Sequence, residues 1–166
     1  MQLKKELPED VSLLLANSNI KAEDILLATD TELDVSGNYA REWLIVTPRR
    51  ILRVSEEGRD YFGRPEIALD IPMSLVNSAR IDGRVGSSFL ELEIDGGFEE
   101  VIRFTNTNAE RFGKVTVKLN EYLKGHPIII TEEDDGDSKR CPTCGRIVTA
   151  TGGVCPNCID KGAVFI

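Results

Sequence analysis

Apolar and polar positions along the chain fall into three successive patterns. In residues 7–16, LPEDVSLLLA, the positions Val11, Leu14 and Leu15 recur at helical spacing. Pro8 suits a first helical turn, Glu9 and Asp10 suit the positive helix end, and Asn17-Ser18-Asn19 stops the element. A short N-terminal helix is predicted. From about residue 22 to 104 the pattern changes to short apolar runs divided by turn chemistry. The candidate strands are residues 25–28, 43–47, 51–54, 66–71, 76–81, 89–94 and 100–104. Residues 66–71 and 89–94 alternate apolar with polar positions, the mark of a strand with one buried face. Trp43 opens an apolar run and is expected in the core. Asp34 to Asn38, Glu56-Glu57-Gly58, Asp82-Gly83 and Asp95-Gly96-Gly97 separate the runs, and such short connections imply antiparallel neighbours.

At Asn106 the period lengthens again. Asn106 or Asn108 can cap a helix in which Ala109, Phe112, Val115, Leu119, Tyr122 and Leu123 recur at three- and four-residue steps. Gly125 ends it and Pro127 prevents its return. The expected fold class is therefore α+β, mostly β: about seven antiparallel strands closed by one amphipathic C-terminal helix. Residues 131–139, TEEDDGDSK, cannot bury a core and read as a solvated acidic linker. The expected organisation is a β domain over residues 1–130, the linker over 131–139, and a small module over 140–166.

Length and charge narrow the functions this organisation can serve. A chain of 166 residues supports one compact core plus a satellite. Its formal net charge of -8 argues against a general surface for nucleic-acid phosphates, which need clustered Lys and Arg. No apolar run approaches the ~18 residues that span a bilayer, and the N-terminus lacks the apolar core of a secretory signal. The sequence reads as soluble and cytoplasmic, and the cysteine usage agrees.

All four cysteines fall near the C-terminus, in Cys141-Pro-Thr-Cys144 and Cys155-Pro-Asn-Cys158. Each C-x-x-C lets a tight turn aim two thiolates at one ion, and the prolines stiffen that turn. Two such pairs complete a closed tetrahedral site with no position left for water, so Cys141, Cys144, Cys155 and Cys158 are expected to hold one structural Zn2+. Metal binding would supply the folding energy that so short a module lacks. A thioredoxin-like redox pair would need one motif in a βαβ setting. A rubredoxin-type iron site uses similar spacing, normally within an aromatic-rich pocket, and the nearest aromatic, Phe165, lies outside both pairs. His126, the one histidine, lies between Gly125 and Pro127 and reads as a turn residue.

Catalytic constellations are not apparent in the rest of the chain: there is no nucleophile elbow and no phosphate-cradling GxxxxGK loop. Gly83-Arg84-Val85-Gly86 reads as a turn, and Glu91 and Glu93 as solvated carboxylates on one strand face. Arg49, Arg50, Arg53 and Arg64 could form a positive rim for lipid head groups. The nearby Glu56, Glu57 and Asp60 favour surface ion pairs instead.

Seven strands closed by a C-terminal helix resemble the pleckstrin-homology-like (PH-like) fold. Residues 43–52, WLIVTPRRIL, resemble the "L-V-V-T-x-x-R-L" phrase of bacterial PH-like and GRAM-like domains. Residues 69–81 resemble their "I-P-L-x-x-I" strand pair, and Arg103-Phe104-Thr105-Asn106 fits the lead into the helix. A PH-like domain, an acidic linker and then a zinc ribbon with Cys155-Pro-Asn-Cys158-Ile159-Asp160-Lys161 is similar to the N-terminal cytoplasmic region of bacterial ABC exporter-type transporters. The resemblance implies a non-enzymatic accessory module at the cytoplasmic face of the inner membrane. Its partner would be the rest of the transporter or another protein, with peripheral membrane contact and a dimer in the full-length context. Membrane spans and the ATP-hydrolysing parts would lie outside these residues. The alternative expectation is a free-standing adaptor whose ribbon docks a protein or nucleic acid; a hydrolase or nuclease with catalytic zinc would require an open coordination position.

Overall fold

The computed structural model describes residues 3–58, 61–131 and 134, and the backbone alone of 138–140 and 147–149. The chain divides into two compact units, Leu3–Ile129 and Ile130–Ile166 with Met1–Gln2. The larger unit is mostly β, with two antiparallel sheets and a C-terminal helix.

Helix α1 (Glu9–Asn17) follows Pro8, which occupies the N-cap position without a side-chain hydrogen bond, and has Glu9 and Asp10 in its first turn. Asn19 stops it in the left-handed region at φ 61°, while Ile20 N donates to Leu15 O at 2.9 Å and Asn19 N to Ala16 O at 3.1 Å. This is a Schellman ending, with Asn in place of the usual glycine. Val11 and Leu15 form the buried stripe.

The first sheet has the order β1 (Leu27–Leu33), β2 (Tyr39–Val46), β3 (Arg50–Ser55) and β4 (Glu66–Pro72). Register explains why residues 43–46 are apolar without alternation. Trp43 pairs with Val54 and Ile45 with Leu52, and these four pack with Val11, Leu15, Ile20, Ile25 and Ala28 under α1. Leu44 and Val46, opposite Arg53 and Ile51, point to the other face and are also fully buried. A sheet covered on both faces needs apolar residues on both. The first strand differs from expectation. It occupies Leu27–Leu33 rather than 25–28, because Ile25 belongs to the core beneath α1, after a single 3-10 turn over Ala22–Asp24. Residues 3–5 run beside the start of β1: Ala28 N donates to Leu3 O and Lys5 N to Ala28 O.

The second sheet has the order β5 (Ser78–Gly83), β6 (Ser87–Ile94) and β7 (Gly97–Thr105). Asp95 and Gly96, at φ 51° and 79°, form the two-residue turn between Ile94 and Gly97. Helix α2 (Ala109–Leu123) buries Phe112, Val115 and Leu119, and the Phe112 ring stacks on Phe104 with centroids 4.2 Å apart.

Both edges of this small sheet are met by side chains. Asn120 of α2 accepts from Ala79 N and donates to Ala79 O, each at 2.9 Å, imitating a neighbouring strand on β5. On β7, Thr31 Oγ1 donates to Arg103 O and Arg53 Nη1 to Val101 O, both at 2.8 Å. β1 and β3 thus each bond one carbonyl of this edge.

In the smaller unit, β8 (Ser138–Arg140) pairs antiparallel with β9 (Ile147–Thr149). Thr131 N and Oγ1 both donate to Asp134 Oδ2 at 2.9 Å. Asp134 is buried.

Candidate functional site

The four expected zinc ligands, Cys141, Cys144, Cys155 and Cys158, lie outside the described residues. The first pair falls in the connection between β8 and β9, residues 141–146. Among the described residues no group of three or more His, Cys, Asp or Glu side chains is arranged to hold a metal ion. His126 follows α2, exposed, with Nε2 3.8 Å from Glu121 Oε2.

The arginines grouped by sequence do not share a surface function. Arg50 turns outward, forming a two-bond pair with Asp70 of β4 and donating to Ser18 O at 3.3 Å. The hydrogen bonds to Asp70 hold its pKa above the ordinary guanidinium range, against the opposing effect of burial. The ion-pair expectation therefore stands for Arg50, with Asp70 as the partner. Arg53 points the other way, between the sheets. Its Nε lies 3.5 Å from Glu42 Oε2, and its side chain is largely buried. Arg64 stacks its guanidinium over Phe62, 5.3 Å from the ring centroid.

Glu91 is a correction to the expectation of a solvated carboxylate: it is 5% exposed and accepts from Arg80 Nε at 2.8 Å. The reason is tertiary: β6 is covered on both faces over Ser87–Leu92, and Arg80, directly opposite Glu91 on β5, engages the carboxylate. Glu93 is half-buried and accepts from Ser78 Oγ at 2.7 Å.

Two polar clusters, one buried and one half-buried, carry no motif in the sequence. The first is Glu42 with Arg53, between the sheets. Burial pushes the Glu42 carboxyl up to about 7; Arg53 opposes the shift and Asp34 adds to it. Glu42 Oε2 and Arg53 Nε have no hydrogen-bond partner within the unit. Such a pair is held by charge attraction in a poorly hydrated place, with its hydrogen-bonding capacity partly unused. The second is Asp30. Its Oδ1 accepts from Lys5 Nζ at 2.6 Å, Arg41 Nε lies 3.6 Å from Oδ2, and Arg111 Nη2 donates to its backbone oxygen at 2.8 Å. Asp30 thus ties the N-terminal segment, β2 and α2 to β1. Burial pushes the Arg111 pKa down, and Asp30 and Glu32 push it back. The inward aspect of Glu42 is readable from period two, since it shares a strand face with Leu44 and Val46.

Two shallow clefts adjoin at Asn19 and Ile20. One, about 340 Å³, is walled by Leu7, Leu15 and Ile25; the other, about 430 Å³, by Thr47, Arg49 and Arg50. No helix among the described residues is long and apolar enough to cross a membrane. The chain matches no protein-family model, no curated protein and no solved structure.

Proposed function

We propose that the chain is a non-enzymatic interaction module: a PH-like β body joined to a zinc ribbon, forming the N-terminal cytoplasmic part of a bacterial ABC exporter-type transporter. The observation that carries the reading is the order of elements in the larger unit. Four strands in one sheet and three in the next are followed by a single helix, whose Phe112, Val115 and Leu119 pack against the second sheet. Several of its buried and half-buried polar side chains are spent on holding its own elements. Arg53 and Thr31 hold β7, Arg111 and Lys5 hold Asp30, and Asn120 holds β5. That is the economy of a scaffold whose work is done on its surface.

The ribbon reading is supported by the two C-x-x-C pairs and by the β8–β9 pair, whose connection carries Cys141 and Cys144. Four thiolates around Zn2+ form a closed site, so the metal holds the module together and takes no part in chemistry. The test is metal analysis of the purified chain. One zinc per chain is expected, falling to none in Cys141→Ser/Cys155→Ser; a zinc content near zero in the unaltered chain would sink the ribbon. The transporter reading has its own test: the reading frame should continue past Ile166 into an apolar stretch of about 20 residues.

A further inference from the structure

Among the described residues the larger unit breaks strand register at three places. One lies between Thr31 and Leu33 on β1, and one lies between Arg53 and Val54 on β3. The third is on β7, where Leu90 faces Ile102 and Glu91 faces Glu100, so that Val101 is an extra residue. The Glu42–Arg53 pair adjoins all three. Glu42 stands opposite Thr31 at the first break, and Arg53 borders the second. Arg53 Nη1 donates to the carbonyl of Val101, at the third, at 2.8 Å. An extra residue falls outside the ladder of its own sheet, so a side chain, not strand pairing, ties this bulge to the first sheet.

Glu42 and Arg53 face each other without a hydrogen bond at their closest approach. Glu42 is 4% exposed, its Oε2 lies 3.5 Å from Arg53 Nε, and neither atom has a hydrogen-bond partner within the unit. Their attraction therefore rests on charge, which acts strongly in a poorly hydrated place and vanishes when the carboxylate takes a proton.

We propose that Glu42 is a proton-operated catch: its ionised form holds Arg53 and its neutral form releases it, so one proton exchanged with solvent sets how firmly the Val101 bulge is tied to the first sheet. Register breaks make the junction deformable, and a change of one buried charge is enough to bias it. The surroundings put the exchange close to neutrality. Burial raises the Glu42 carboxyl to about 7, with Arg53 opposing and Asp34 assisting. Burial also pushes Asp34 up, but hydrogen bonds from Asn38, Gly37 and Ser36 outweigh it, so Asp34 stays ionised while Glu42 titrates.

The other groups around Glu42 do not replace its charge. Thr31 of β1 donates its hydroxyl to Arg103 O, and Ser55, opposite on β3, donates to Glu57 O. The Arg103 guanidinium of β7 turns to Ser87 Oγ and Val35 O. Arg41, next in the chain, lies with Asp30 and Glu56. The catch is independent of the interaction-module reading: neither the zinc content nor a following membrane span bears on it.

The experiment follows the full chain by NMR from about pH 5.5 to 8.5, with 13C at glutamate carboxyls and 15N at arginine side chains and the backbone. The Glu42 carboxyl should titrate with a midpoint of about 7, and Arg53 Nε and the Val101 and Ile102 amides should move with the same midpoint. Exchange of the Arg53 Nε proton, corrected for base catalysis, should be at least about fivefold slower with Glu42 ionised. Glu42→Gln should remove these midpoints and keep exchange at its acid-side rate. His126→Gln, which removes the one histidine, should leave them in place. The proposal is overturned if Glu42 titrates in the ordinary carboxylate range, or if Arg53 and Val101 stay unchanged while it titrates. It is also overturned if the midpoint survives Glu42→Gln or disappears in His126→Gln. The first two outcomes are read in the unaltered chain, so they decide the matter even where a variant fails to fold.

Discussion

The two faces of the four-stranded sheet are built on different principles. The outer face, under α1, is a continuous apolar layer of Ala28, Trp43, Ile45, Leu52 and Val54 beneath Val11 and Leu15. The inner face, against the second sheet, mixes Leu44, Val46 and Ile51 with Thr29, Thr31, Glu42 and Arg53. Apolar contact is strong but non-directional, and it tolerates sliding. Hydrogen bonds from Thr31 and Arg53 to the β7 edge are weaker in net terms but admit only one register. The outer face therefore supplies attachment of the helix, while the inner face specifies how the two sheets meet.

Truncation on the outer face should have the largest effect. Leu15→Ala removes a side chain that is 1% exposed and leaves a cavity between α1 and the sheet, with an expected loss of roughly 3 kcal/mol in denaturant unfolding. A loss below about 1 kcal/mol would mean that α1 adds little to the fold.

On the inner face the outcome depends on which partner is removed. Arg53→Met leaves Glu42 buried without its counter-charge and should cost about 3 kcal/mol, much of it recovered in Glu42→Leu/Arg53→Met. Equal losses in the single and double variants would show that the pair is not coupled.

The pH dependence should be smaller and belongs to the inner face alone. Glu42 titrates near 7 in the folded chain against an ordinary value of 4.5, so the folded state holds its proton more tightly. Its contribution to stability is therefore complete below about pH 4.5 and is lost as the pH rises through 7. The loss across that window should be roughly 2–3 kcal/mol, and Glu42→Gln should flatten this part of the stability profile. An unchanged slope in Glu42→Gln would assign it to other carboxylates.

Much of the fold is legible along the chain, and the exceptions are instructive. The alternation in Phe89–Ile94, the Asp95-Gly96 turn and the α2 period all reappear as elements, because each depends on neighbours in sequence. Glu91 defeats a sequence reading for the opposite reason: its burial comes with Arg80 opposite it and the double covering of β6. Arg49, Arg50 and Arg53 are close in sequence, yet Arg50 and Arg53 leave the strand on different sides, since Arg50 meets Asp70 and Arg53 meets Glu42. Of the candidate site, the spacing of the cysteine pairs is wholly a matter of sequence.

The sequence by itself determined the order of helix, strands and helix, the acidic balance and the two C-x-x-C pairs, since these follow from local period, turn chemistry and composition. Only the tertiary structure decided which polar groups are buried and which strand edges they bond. Burial and pairing depend on residues brought close by the fold: Glu42 by Arg53, Asp30 by Lys5 and Arg111, and Ala79 by Asn120. A carboxylate such as Glu91 on an alternating strand looks the same in sequence whether water or a covering layer lies above it.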